Sequence, residues 1–389
     1  MIQIKAQSIY TPDRVSTQAF INIKHGKVLS IGEPATSDSL TVYDLPDYSL
    51  VPGFVELQIN GAFGVDFTNT PDQIWQVGRR LIELGITTFL PTIITSPLSA
   101  ITNAMQIWLS GAPIGYNGAA IPGFHVEGPY LSLQKKGAHR QEFFRKPTPA
   151  EVSEWIPSNG IRMVTLAPEL PGALEIISIL SQRGILVSAG HSNASAEQVR
   201  RAMEAGISAG THIFNAMGAL DHRAANLVSV LLTEDHLKVG LIADGIHLAP
   251  EVVKIVQRCK GKGNIFLVSD AMAALGLSPG KYQLAGREVN VNETTARLED
   301  GTLAGSILTA TESLRNFVKF TQCSFEEALQ CWTTTPAGML HLENGGRLTI
   351  GQQADLVALD DHGRVAGTMI KGDWVFIAPW AKIEEKRIN

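Results

Sequence analysis

A chain of 389 residues with 44% hydrophobic side chains can bury one large domain with an appendage, or two medium ones. Its formal charge of -5, from 32 basic and 37 acidic residues without a basic cluster, excludes a nucleic-acid footprint and argues against acidic membrane surfaces. Cys259, Cys323 and Cys331 are odd in number and unpaired in spacing, and no apolar run reaches ~18 residues, so a soluble cytoplasmic protein without disulfides is expected.

Residues 1–51 read as small β-structure. Ile2-Ile4, Phe20-Ile23 and Lys27-Ile31 are short β-prone runs, and His25-Gly26 marks a tight turn between the last two. Residues 345–389 are similar, with Ala354-Leu359, Val365-Ile370 and Trp374-Phe376 broken by Gly and Asp. Neither end carries enough apolar surface for its own core. The two are expected to combine into one small β-sandwich domain, 1–51 with 345–389, beside a catalytic domain over 52–344.

Between them strand-like runs alternate with amphipathic stretches. The strand candidates are Val51-Asn60, Ile86-Ile94, Ala120-Glu127, Ile161-Pro168, Gly184-Gly190, Ala209-Phe214, Val239-Ala243 and Asn264-Asp270. Helices are expected over 71–85, 97–109, 149–155, 174–184, 196–206, 226–235 and 250–259, with a longer pair after Thr309. Strands that are apolar almost throughout imply a parallel sheet covered by helices, and eight such units predict an α/β fold, a closed (β/α)8 TIM-type barrel. Leu277 to Thr302, punctuated by Gly280, Gly286 and Asp300-Gly301, reads as a β-hairpin insertion.

Four of these strands end on chemistry. Glu127 precedes Gly-Pro, His191 ends GILVSAGH, His212 lies in AGTHIFNAM, and Asp270 ends NIFLVSD. A lone acid at a strand end is most often a cap or a loop ion pair. In a (β/α)8 barrel, however, the catalytic groups come from the C-terminal strand ends, which is where all four fall. One carboxylate and two imidazoles suit a zinc-like divalent ion and leave a position open for water or substrate. Asp270 is then free to act as the base that takes a proton from the attacking water and returns it to the leaving amine.

The motifs are similar to those of the N-acetylglucosamine-6-phosphate deacetylases of the amidohydrolase superfamily. They are Val51-Pro-Gly-Phe-Val-Glu-Leu-Gln-Ile-Asn-Gly61, Phe124-His-Val-Glu-Gly-Pro-Tyr130, Lys136-Gly-Ala-His139, Gly190-His-Ser192, Thr211-His-Ile-Phe-Asn-Ala-Met217, Ala243-Asp-Gly-Ile-His247, Ser269-Asp270 and Leu303-Ala-Gly-Ser306. The resemblance covers essentially the whole chain. It implies hydrolysis of N-acetyl-D-glucosamine 6-phosphate to D-glucosamine 6-phosphate and acetate, in amino-sugar catabolism and recycling. It implies Glu127, His191 and His212 as metal ligands, Asp270 as catalytic acid and base, and His139 as the residue that polarises the acetyl carbonyl.

Many amidohydrolases carry His-x-His on the first strand and a bridging lysine on the fourth. Here the first strand offers Gln58 and Asn60, and Ile161-Pro168 holds no lysine, so the second-metal position is expected to be vacant. One divalent ion per subunit follows, with Zn ahead of Fe, Co or Mn. The same resemblance implies substrate contacts from Ala138, Asn215, Ala216, Asp244, Gly245, Ile246, His247, Leu303, Ala304 and Gly305. Arg223, whose planar fork suits phosphate, is implied as a contact reaching the neighbouring site of a homodimer. The galactosamine epimer is an alternative substrate. A non-catalytic scaffold is the alternative from another class, and the retention of Glu127, His191, His212 and Asp270 together weighs against it. His125 and His222 receive no role.

Overall fold

The computed structural model describes residues 1–36 and 40–388. Its larger unit is a parallel sheet of eight strands in sequential order. They are β1 (Phe54–Ile59), β2 (Ile86–Ile94), β3 (Phe124–Glu127), β4 (Ile161–Leu166), β5 (Leu186–Ala189), β6 (Ala209–Gly210), β7 (Lys238–Leu241) and β8 (Ile265–Leu267). The edge strands meet just past their ends. Asp270 N donates to the Gln58 carbonyl at 2.9 Å, and Ile59 bridges Ala271 in parallel, so the sheet closes into the expected barrel.

The side chains explain the closure. Phe124 and Val126, Val164 and Leu166, Val239 and Leu241 belong to the cluster shared with the helices, while Val55, Leu57, Leu90, Met163, Phe266 and Val268 form a separate cluster with Ile242. Both faces of the sheet are thus apolar, which is why the strands read as continuous hydrophobic runs. The helices are α1 (Ile74–Leu81), α2 (Leu98–Leu109), α3 (Ala173–Gln182), α4 (Ala196–Ala205), α5 (Leu227–Thr233), α6 (Pro250–Lys260), α7 (Ala310–Thr321), α8 (Phe325–Trp332) and α9 (Thr334–Met339). Reciprocal capping boxes start α4 (Ser195 with Gln198), α5 (Asn226 with Ser229) and α7 (Thr309 with Glu312), and Pro250 opens α6 where its missing N–H costs nothing. No helix among the described residues is long and apolar enough to cross a membrane.

Two elements differ from expectation. The helix expected over 149–155 is a run of turns, because Pro147, Pro149 and Pro157 crowd a stretch too short to repay helix nucleation. The whole passage from β3 to β4 is instead a long loop pinned by Trp155, which is buried and packs on Tyr130. The expected strand Val51-Asn60 divides at Gly53. Val51 and Pro52 end a strand of the second sheet, and a side chain at Gly53 would collide with Thr87 where the chain crosses into the barrel.

That second sheet joins the two termini. Its order is Asp373–Ile377, Val365–Ile370, Leu356–Leu359, Leu40–Pro52, Ile2–Tyr10, Val15–Lys24 and Lys27–Gly32, with Glu385–Ile388 also paired to Leu40–Pro52. Ile2–Tyr10 runs parallel to Leu40–Pro52, and the other pairs are antiparallel. His25 and Gly26 both take positive φ in the predicted tight turn. The insertion after β8 is a three-stranded antiparallel sheet of Gly280–Leu284, Arg287–Val291 and Ala296–Arg297.

Candidate active site

Glu127 is the last residue of β3, with Ile94 of β2 and Thr165 of β4 as its strand partners. His191 and His212 follow β5 and β6 by two residues, and Asp270 follows β8 by three. These last three take φ of 48, 30 and 48°, a left-handed backbone that L residues seldom adopt and that costs on the order of 1–3 kcal/mol each. Neighbouring strands hold them there. Asp270 donates from N to the Gln58 carbonyl and accepts at O from Ser306 N at 2.9 Å, and Ile213 N donates to Gly240 O at 2.8 Å. Gly305, with φ of 69°, runs so close to Asp270 that a Cβ would sit 2.8 Å from its carbonyl oxygen.

The result is a compact group of donors. Glu127 Oε1 lies 3.0 Å from His212 Nε2 and 3.3 Å from His191 Nε2, and the two imidazole nitrogens are 3.2 Å apart. His139 Nε2 is farther, 4.0 Å from Glu127 Oε2, and the donor atoms of Glu127, His139 and His191 all fall within 4.8 Å. His191 Nδ1 donates to the Lys135 carbonyl at 2.9 Å, which turns Nε2 toward the group. His139 Nδ1 meets Thr95 Oγ1 at 2.8 Å. Asp270 Oδ1 accepts from Asn60 Nδ2 at 2.8 Å and from Gln58 Nε2 at 3.3 Å, and the same Gln58 amide reaches both Glu127 oxygens at 3.3 and 3.2 Å.

Burial sets the electrostatics. It works to raise the Glu127 carboxyl, but hydrogen bonds and charge from His191 and His212 hold it well below its ordinary value. Burial also opposes charge on His212, which the hydrogen bond and charge of Glu127 nonetheless push upward. Desolvation followed by the charge of His191 brings His139 down to about 3, so that ring is neutral. Burial, then the Glu127 charge, pushes Asp270 up to about 6.

These groups form the floor of a cleft of about 620 Å³. Ala138, Asn215, Ala216, His247, Leu303 and Gly305 line it with Asn60, Glu127, His139, His191, His212 and Asp270. Asp244, Gly245 and Ile246 are not on its wall. They build the turn behind His247, in which Asp244 Oδ2 accepts from His247 Nδ1 at 2.6 Å and Oδ1 accepts from the N–H groups of Ile246 and His247. Ala304 is fully buried beside the wall, and Arg223 sits on an exposed loop outside this cleft.

The amidohydrolase family model matches residues 49–375. The chain is 40% identical to the N-acetylglucosamine-6-phosphate deacetylase of Bos taurus over 356 residues, covering 87% of this chain and 85% of that one. The crystal structure of N-acetylglucosamine-6-phosphate deacetylase from Pasteurella multocida superposes with a TM-score of 0.90 at 31% identity, over 96% of this chain and 99% of that one. The Mycobacterium smegmatis enzyme, solved as a mutant in complex with N-acetyl-D-glucosamine-6-phosphate, gives 0.88 at 30% identity over 96% and 99%. The chain belongs to the amidohydrolase family.

The donor set of this amidohydrolase fits a divalent cation. Tetrahedral coordination at about 2.0–2.1 Å needs ligand atoms about 3.3–3.4 Å apart. The three separations among Glu127, His191 and His212 fall at or just under that edge length, while His139 lies beyond it. Gln58 and Asn60 stand where a second ion would need harder or more basic ligands, and their amides instead donate to the carboxylates. Sequence reading missed Thr95, Gln134, Lys135, Lys136 and Arg297 at this site. Thr95 carries a faint signal, since it too is a polar residue directly after a buried strand. Lys135 acts through its backbone and carries none.

Proposed function

We propose that this amidohydrolase removes the N-acetyl group of N-acetyl-D-glucosamine 6-phosphate, giving D-glucosamine 6-phosphate and acetate. The observation that carries the proposal is the carboxylate of Asp270, anchored by Asn60, beside the Glu127–His191–His212 group on the floor of one cleft. The relatives named for this deacetylation, at 30–40% identity over most of the chain, supply the substrate class.

Glu127, His191 and His212 would hold one divalent ion, zinc by the softness and number of the ligands. Such an ion supplies a Lewis acid that polarises a carbonyl and acidifies water. The chain's own groups do the rest. Asp270 takes one proton as water adds to the acetyl carbon, and delivers it to the amine as the C–N bond breaks. Its position near pH 6 suits both directions, being mostly ionised at neutral pH and still basic enough to accept. Neutral His139, held at Nδ1 by Thr95 Oγ1, would offer its Nε2–H tautomer to the acetyl oxygen. Ala138, Asn215, Ala216, Leu303 and Gly305 shape the sugar pocket, and His247, oriented by Asp244, faces the phosphate.

Arg223 is the remaining phosphate contact in this reading, contributed across a homodimer. The three free cysteines accord with a reducing cytoplasm. The deciding experiment is acetate release from N-acetylglucosamine 6-phosphate after chelation and after re-addition of single metals, with Asp270→Asn as control. Full activity in metal-stripped protein, or equal turnover by the control, would sink the proposal.

A further inference from the structure

Directly beneath the donor group the barrel is crossed by a line of buried hydroxyls. His125 Nε2 meets Thr165 Oγ1 at 2.7 Å, Thr165 Oγ1 meets Thr211 Oγ1 at 2.7 Å, and Thr211 Oγ1 meets Ser188 Oγ at 2.6 Å. All four residues are fully buried. They come from β3, β4, the end of β6, and β5, so one chain of hydrogen bonds ties four staves. At the other ring nitrogen, His125 Nδ1 meets Thr92 Oγ1 of β2 at 3.4 Å, which extends the line to a fifth.

Each hydroxyl on the line has one proton to give and accepts from its other neighbour, the direction being set by the tautomer of His125. Chains of this kind reinforce one another in a low-dielectric interior.

The line touches the proposed ligands through their backbones. His125 precedes Glu127 by two residues on the same strand face, and Thr165 is the register partner of Glu127. Thr211 is joined directly to His212. That matters because the two histidines are held differently. His191 is oriented by its Nδ1 bond to the Lys135 carbonyl, whereas His212 Nδ1 is buried with no acceptor outside its own residue. Among the described residues the His212 ring is therefore held only from the Glu127 side, through Nε2, and its aim depends more on the backbone that Thr211 anchors.

We infer that His125, Thr165, Thr211 and Ser188 are positioning residues, a continuous hydrogen-bonded line that fixes Glu127 and His212 at ligand spacing and so sets the affinity for the divalent ion. The inference rests on the single-ion reading given above. It extends to no contact with substrate.

The test uses zinc alone as probe, with affinity read by competition against a chromophoric chelator on stripped and reloaded full-length protein. Thr165→Val keeps shape and deletes the hydroxyl; it is expected to weaken zinc binding by ~10–100-fold, the usual effect of losing a partner that orients a ligand. Thr165→Ser restores the hydroxyl while losing the methyl, and is expected to recover most of that affinity although it packs worse. A second variant, Ser188→Ala, trims one oxygen from the far end and is expected to weaken binding in the same direction. Circular dichroism and thermal unfolding identify the variants that fold. Unchanged affinity in folded Thr165→Val or Ser188→Ala, or equal losses in the Val and Ser variants at Thr165, would overturn the inference. A wild type that takes up no zinc marks the failure of the ion reading itself and removes the basis of this one.

Discussion

Both amide donors that hold Asp270, from Asn60 and Gln58, go to Oδ1, so Oδ2 is the oxygen available for proton exchange. Replacing the carboxyl by an amide keeps the size and removes the base. Asp270→Asn is therefore expected to lower kcat by ~10²–10⁴ while retaining one zinc per chain, measured by steady-state acetate release and elemental analysis. A loss of less than about tenfold would place the base elsewhere. That Glu127 and Asp270 meet was legible because each is a polar group that ends an apolar run, as Glu127 ends Phe124–Glu127 and Asp270 ends the stretch after Ile265–Leu267. The hydroxyls below them were not. Thr165 and Ser188 sit inside strands and Thr211 directly after one, where threonine and serine pass as ordinary β-formers, and only the closed barrel reveals that they meet.

Among the elements, β1 has to be joined to the stretch after β8, and a fully buried acid does part of that work. Glu56 accepts from Gln58 N at 2.9 Å on its own strand and from Ser269 N at 2.9 Å across the closure. Burial nevertheless pushes its carboxyl up to about 8, against an unfolded value near 4.5. Between those limits the folded chain binds a proton that the unfolded chain has released, so stability is full below the lower value and falls as pH rises toward the upper. The drop is of the order of 3–5 kcal/mol. Urea unfolding at pH 5 and pH 8 should show the wild type losing more stability over that interval than Glu56→Gln, in which nothing titrates at this position. Identical pH dependence in the two proteins would refute the assignment. The strands themselves were readable, since burial on both faces writes them as unbroken apolar runs. The loop between β3 and β4 was not. Its apolar spacing resembles a helix over 149–155, but prolines on either side deny it the length, and the chain is used to carry Ala138 and His139 to the barrel mouth. There Arg287 of the insertion donates to the Ala138 carbonyl at 3.1 Å, a clasp no local pattern announces.

For the whole molecule the open matter is how a site with a phosphate-binding task is completed. Arg223 does not line its own cleft, and the loop around it, residues 219–225, is exposed and carries Leu220 at 52% exposure. An apolar side chain beside a planar cation on a projecting loop suits a subunit boundary, where the loop of one protomer can reach the cleft of the other in an isologous pair. The chain's own arrangement makes this separable from a purely local role. Arg223→Met should raise KM for the phosphorylated sugar far more than for the unphosphorylated one, and Asp270→Asn should leave KM little changed while stopping turnover. If Arg223 serves the partner's cleft, co-refolding the two variants in equal amounts creates mixed dimers in which one cleft has both an intact Asp270 and an intact Arg223. About a quarter of all clefts then recover full kcat/KM, a gain absent when either variant is refolded alone. If Arg223 instead serves its own cleft, every chain in the mixture carries one defect in the only site it can complete, and activity stays at the sum of the two variants.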